Sequence, residues 1–211
     1  MIDTLGYYLT SPDAIIYRVA TALLYPVLFA EVICLFIAVF EAGRFTVEVL
    51  MRMRKRALPV IRTSALAARD AIAGGQAADA LDHLGMALAH GRYGRRFVEM
   101  LTPETTDRTE YLKVLNDVEL EAARRLERTR MLIRLGPMLG LMGTLIPISP
   151  ALVGLAQGDV QTLSDNLVIA FSTTVVGLLV GGVAYVVSAV RDRLYTQDVS
   201  DIEYVLDLLE V

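Results

Sequence analysis

Residues 131–156 read MLIRLGPMLGLMGTLIPISPALVGLA and residues 166–190 read NLVIAFSTTVVGLLVGGVAYVVSAV, with the polar stretch QGDVQTLSD over 157–165 between them. Each run exceeds the roughly 20 apolar residues that a helix needs to cross a hydrocarbon core. No charged side chain occurs from Gly136 to Ala156 or from Leu167 to Val190. The pattern predicts two membrane-spanning helices, 131–156 and 166–190, joined by a loop over 157–165. Both runs hold more small and hydroxylated residues than a purely lipid-facing helix needs. Gly140 and Gly143 are three apart on one helical face, with Thr144 one step round. Thr174, Gly177 and Gly181 fall at i, i+3 and i+7. Small residues at helical spacing let backbones approach, and hydroxyls inside a membrane face protein or a pore. Gly140, Gly143, Gly177 and Gly181 are therefore expected at a helix–helix contact, and Thr144 and Thr174 along a polar path. The plainer alternative is close packing without conduction. Thr173 has the bland use open to it of returning its hydroxyl to the backbone four residues earlier.

The remainder of the chain fits a small polytopic membrane protein. Of its 211 residues 55% are hydrophobic, and the mean hydropathy of +0.50 is too high for an ordinary soluble domain. A further apolar run over 14–42 predicts a first span after a short tail over 1–13. The N-terminus has no basic region, so a cleavable signal peptide is not expected. Pro26 predicts a bend in this span. Arg18 is close enough to the helix start to snorkel to headgroups. Glu31 is not: it lies roughly 20 Å further along the helix, where a carboxylate must be neutral, paired or facing water. Two uses are expected of it, as a structural partner of Arg134 or as an accessory proton site.

Charge distribution sets the expected topology. Residues 44–130 hold 16 of the 20 Lys and Arg, whereas 1–13 and 157–165 hold none. Basic residues flanking spans mark the cytoplasmic side. The N-terminus and the 157–165 loop are thus expected outside a plasma (inner) membrane, with 43–130 and a C-terminal helix over 191–211 in the cytoplasm. Within 43–130, apolar residues recur at helical intervals, broken by Pro59 and by Gly74-Gly75, which predicts two or three short amphipathic helices. A further helix is expected to begin at Thr102-Pro103. Residues 107–134 form a charged helical stretch with Leu112, Leu115, Val118, Ala122, Leu126 and Leu132 on one side. The expected architecture is all-α: three transmembrane helices and a helical cytoplasmic stalk continuous with the first two.

No nucleophile–base pair or phosphate-cradling glycine loop is present, so an enzyme is not expected, nor is a cofactor. His83 and His90 lack companion ligands, which argues against a metal site. The basic residues of 43–130 alternate with acidic ones and have no aromatic platform, which argues against nucleic acid. Cys34, the single cysteine, lies in an apolar run and reads as a packed thiol. A proton path through the hairpin would lack a titratable relay, because neither of its spans contains a carboxylate.

The run RLGPMLGLMGTLIPI, followed by a short polar loop and NLVIAFSTTVVGLLVGG, resembles the MotA/TolQ/ExbB family of proton-channel subunits. The middle-span threonine of that family corresponds to Thr144 and the last-span threonine to Thr174. The resemblance implies a proton-conducting subunit of an energy-transducing, rotary membrane motor: a homo-oligomer, in several members a pentamer, around an ExbD/TolR/MotB-like single-span partner. The partner's Asp would carry the proton and fill the missing-carboxylate gap. The sequence departs from the family in three places. Gly181-Gly182 stand near a position often held by proline, Pro147 and Pro150 fall within the second span, and Ile169 occupies a position that is acidic in ExbB-like members. A non-conducting scaffold or assembly factor of the same fold, or a partner-independent cation channel, are the alternative readings.

Overall fold

A computed structural model describes residues 12–52, 58–102 and 107–209. These form seven helices with no strand among the described residues: α1 (Pro12–Ala22), α2 (Leu24–Arg52), α3 (Leu58–Ala73), α4 (Ala77–Leu88), α5 (Arg92–Met100), α6 (Arg108–Ala156) and α7 (Val160–Leu209). Most of the expected N-terminal tail, the basic run Arg54-Lys55-Arg56 and the helix start at Pro103 lie outside the described residues. Three helical stretches are long and apolar enough to cross a membrane: Ala14–Leu50, Arg108–Ala156 and Val160–Leu209. The chain folds as two compact units, one from Met1–Ala42 with Thr129–Val186 and the other from Gly43–Arg128 with Val187–Val211.

Local chemistry explains the breaks. The first apolar helix is interrupted at Leu23, three residues before Pro26. Proline has no N–H for the carbonyl of Ala22 and its ring presses on that carbonyl. The Leu23 amide accordingly contacts both the Val19 and Ala20 carbonyls, and the helical pattern resumes with Val27 N–H to Leu23. α3 ends in a Schellman arrangement: Gly75 takes φ +72°, its amide donates to Ile72, and the Gln76 amide donates to Ala71. Gly158 does the same for α6 at φ +78°, with Gly158 N–H to Leu155 and Asp159 N–H to Gly154.

Asp159 immediately caps the next helix. Its carboxylate accepts the Thr162 amide at 3.0 Å and the Thr162 hydroxyl at 2.5 Å. Those two bonds, the hydroxyl first, hold its carboxyl below the usual aspartate range. The expected nine-residue loop over 157–165 therefore shrinks to Gln157–Asp159, and Val160–Asp165 is helix. A Gln161–Asp165 hydrogen bond at 2.8 Å supports this polar first turn.

In the first unit α2 presents Val27, Glu31, Cys34 and Ala38, spaced i, i+4, i+7 and i+11, as its buried stripe. Cys34 and Ala38 pack with Leu132, Val180 and Ala184. The opposite faces expose Phe29, Phe36, Leu141, Phe171 and Leu178, an apolar surface that needs lipid or further protein to cover it.

The second unit has an ordinary globular core. Ile61, Leu84, Leu88, Leu115, Val118 and Leu126 from the expected amphipathic stripes are buried in it. The end of α7 joins them through Ile202, Val205 and Leu209. Leu112 does not follow the expected stripe and is exposed, as is Met86 among the apolar residues at helical intervals in α4. Leu132 belongs instead to the core of the first unit. Residues 191–209, expected as a separate terminal helix, continue α7 without a break.

Candidate ion pathway at a glycine seam

Within the first unit α6 and α7 meet backbone to backbone. A Cβ built on Gly177 would stand 2.5 Å from the Gly136 carbonyl oxygen and 2.8 Å from the Gly140 Cα. One on Gly136 would meet the Gly177 carbonyl at 2.7 Å, and one on Gly143 would meet Thr173 Cβ at 2.7 Å. Gly181 receives the ring of Pro137, with Cδ 2.9 Å from its virtual Cβ. Gly140, Gly143, Gly177 and Gly181 all sit at this contact. Gly136 and Pro137 are additional members that the sequence reading did not single out. Gly182, next in sequence, has nothing within 4 Å of its virtual Cβ.

The threonines divide differently from the expected stripe. Thr173, buried, is the one inserted into the seam against Gly143. Thr174 lies at the edge of the seam and Thr144 on the neighbouring turn of α6, both half-buried. All three hydroxyls are bound to their own helix. Thr144 Oγ1 donates to Leu141 at 2.7 Å, Thr174 Oγ1 to Ala170 at 3.3 Å and Thr173 Oγ1 to Ala170 at 2.9 Å. A hydroxyl whose hydrogen is committed to the backbone keeps its oxygen lone pairs, and so presents an acceptor to its surroundings. Pro147, inside α6, has no N–H for the carbonyl of Gly143 on the same turn.

Glu31 is 3% exposed, and its Oε1 has no hydrogen-bond partner. The polar group its carboxyl meets is the backbone of Gly177. Arg134 is exposed, and no ion pair joins it to Glu31 among the described residues. Ile169 is half-buried on α7, two turns before Gly177.

The second unit holds a set of buried charges. Asp198 on α7 pairs with Arg52 on α2 and accepts the Tyr93 amide at 3.1 Å, while Arg52 also donates to the Leu194 carbonyl at 2.9 Å. Gly91 gives this carboxylate room, since any Cβ there would collide with it. Burial pushes the Asp198 carboxyl up; the attraction of Arg52 and the Tyr93 amide opposes that without cancelling it. His90 Nε2 stands 2.7 Å from Asp201, which Gln197 also donates to at 3.0 Å. Arg191, 0% exposed, faces Glu48 at 3.5 Å, and Arg125 faces the same carboxylate at 3.8 Å. Tyr93 and Tyr195 stack edge to face at 4.6 Å, and burial raises both phenols. Among the described residues no group of His, Cys, Asp and Glu is arranged to hold a metal ion.

No curated protein matches the chain, and no solved structure does. The sequence model of the MotA/TolQ/ExbB proton channel family matches residues 85–204, a stretch that contains α5, α6 and nearly all of α7 and leaves α1–α3 outside it. This is a family of channel subunits in energy-transducing membrane complexes and not of enzymes. With more than half of its length matched, and with three helices able to cross a membrane, the chain is a membrane protein that belongs to the MotA/TolQ/ExbB proton channel family.

Proposed function

We propose that this chain is the ring-forming, proton-conducting subunit of a rotary energy-transducing motor. Several copies, five by analogy with the family, enclose the membrane helices of an ExbD/TolR/MotB-like partner. The observation that carries the reading is the pair Thr144 and Thr174: half-buried hydroxyls, their hydrogens tied to the backbone, on a hairpin whose spans contain no carboxylate. Such oxygens accept hydrogen bonds from water or from a protonated acid. They orient a proton carrier without being one. The titrating acid then comes from the partner helix, as an Asp facing the threonine level. The glycine seam supports this role by fixing the spacing of α6 and α7, so that the threonine oxygens keep their positions while the partner moves. The concentration of basic residues over 44–130 supports a cytoplasmic second unit, with residues 157–159 and the N-terminus outside a plasma (inner) membrane. In that topology α2, α6 and α7 carry on from the membrane into the second unit as the expected stalk.

Native mass spectrometry in detergent tests this. The protein expressed with the single-span protein encoded beside it is expected as a ring that gains two copies of the neighbour. A monomer or dimer indifferent to that neighbour would remove the motor reading.

A further inference from the structure

Glu31 stands in the middle of the buried stripe Val27–Glu31–Cys34–Ala38 of α2, within the first span and outside the residues matched by the family. Three facts define its surroundings. Its side chain is excluded from solvent, with 3% exposure. Oε1 has no donor, and no cation of the described residues contacts the carboxyl group. The backbone it reaches belongs to Gly177, the glycine at the tightest point of the α6–α7 seam, on the helical turn that begins with Thr173 and Thr174. A structural acid in a membrane helix is ordinarily matched to an arginine or lysine, and Arg134, the partner expected from the sequence, is exposed and forms no ion pair with it among the described residues. An unpaired carboxylate buried among apolar side chains is far more costly than the neutral acid. Sodium or another metal cation would require several oxygen ligands, and the buried stripe of α2 supplies none beside Glu31, its other members being Val27, Cys34 and Ala38.

We propose that Glu31 is a proton-binding site of the ring subunit itself: a neutral carboxylic acid at rest, presented by the first span to the Thr173–Gly177 turn and able to exchange its proton with water. The bound species is COOH, formed when the carboxylate takes one proton from hydronium or water at the seam and released by the reverse step. This site deepens the conduction reading above, because it places a second titratable group next to the threonine-bearing turn. Its existence can be tested without any conduction.

The experiment is infrared spectroscopy of the full-length protein in lipid at neutral pH, wild type against Glu31→Gln, in H2O and then in D2O. The expected result is a carbonyl stretch of a neutral, weakly hydrogen-bonded acid in the wild type. It should shift on transfer to D2O and be absent from Glu31→Gln. Labelling of the wild type with a hydrophobic carbodiimide, followed by peptide mapping, covers the case in which the variant does not fold. Modification at Glu31 that declines as pH rises is expected. No Glu31-dependent band and no labelling would show an ionised group and overturn the proposal. A band that never shifts in D2O would overturn it too, by showing a sealed structural acid. Labelling suppressed by sodium at constant pH would replace the proton with a metal cation. If the wild type shows the exchanging band yet carries no proton current with its partner, the site stands and the conduction reading fails.

Discussion

Gly177→Val should prevent the membrane hairpin from closing, and Gly177→Ala should already weaken it severely. The added Cβ would lie 2.5 Å from the Gly136 carbonyl oxygen, 2.8 Å from Gly140 Cα and 3.0 Å from Gly140 N. All three obstacles are backbone atoms of α6, so no side-chain rotamer change can relieve the overlap. The helices must separate, which forfeits dispersion contacts along the seam as well as straining it. Overpacking a well-filled contact costs about 1–3 kcal/mol, and a rigid backbone on both sides puts the alanine variant at or above the upper end. Gly182→Ala is the matched control: the same helix and the same chemical change, with nothing within 4 Å of the new methyl group. Thermal unfolding in detergent should show a large drop in Tm for Gly177→Ala and almost none for Gly182→Ala. Equal melting of the two variants would mean that the α6–α7 contact is not as described.

The second large effect is expected at Asp198. Its side chain is fully buried against Arg52, which is itself only slightly exposed. Asp198→Ala leaves that guanidinium without its carboxylate and the Tyr93 amide without its acceptor. Removing one partner from a buried ion pair costs about 3–5 kcal/mol, a large share of the stability of a typical domain. Asp198→Asn should be milder, because the amide oxygen still accepts from Tyr93 or Arg52. Denaturant unfolding of the purified protein should rank wild type above Asn and Asn above Ala. An alanine variant as stable as the wild type would mean that the Arg52–Asp198 pair is not a buried one.

The three long apolar helices are legible in the sequence because they rest on a local signal, the length of each apolar run. Gly74-Gly75 likewise announced the end of α3, since a positive φ at Gly75 suits only a residue without Cβ. What escaped was of three physical kinds. Residues 157–165 look like a loop by polarity, yet the Schellman turn at Gly158 and the cap at Asp159 restart a helix within three residues. Thr173 and Thr174 are separated by about 100° on a helix, and which one enters the seam depends on how α6 docks, which periodicity does not report. The buried charges were invisible for another reason. Nothing local marks Arg52 among the basic residues of 44–130, or Asp198 within the C-terminal helix, as partners; they are 146 residues apart and only the fold brings them together. Of the two uses expected of Glu31, the ion pair with Arg134 is not formed among the described residues, and the carboxyl meets the Gly177 backbone instead.

The most direct test of the conduction account is proton flux through the purified complex in proteoliposomes, comparing wild type with the double variant Thr144→Val, Thr174→Val. Valine keeps the volume and branching of threonine while deleting the acceptor oxygen. A hydrogen bond to a charged or protonating group contributes roughly 1.5–3 kcal/mol, so flux per complex should fall by about tenfold or more, with the native mass unchanged. Wild-type flux in the double variant, with the partner bound, would contradict the placement of the proton path along Thr144 and Thr174.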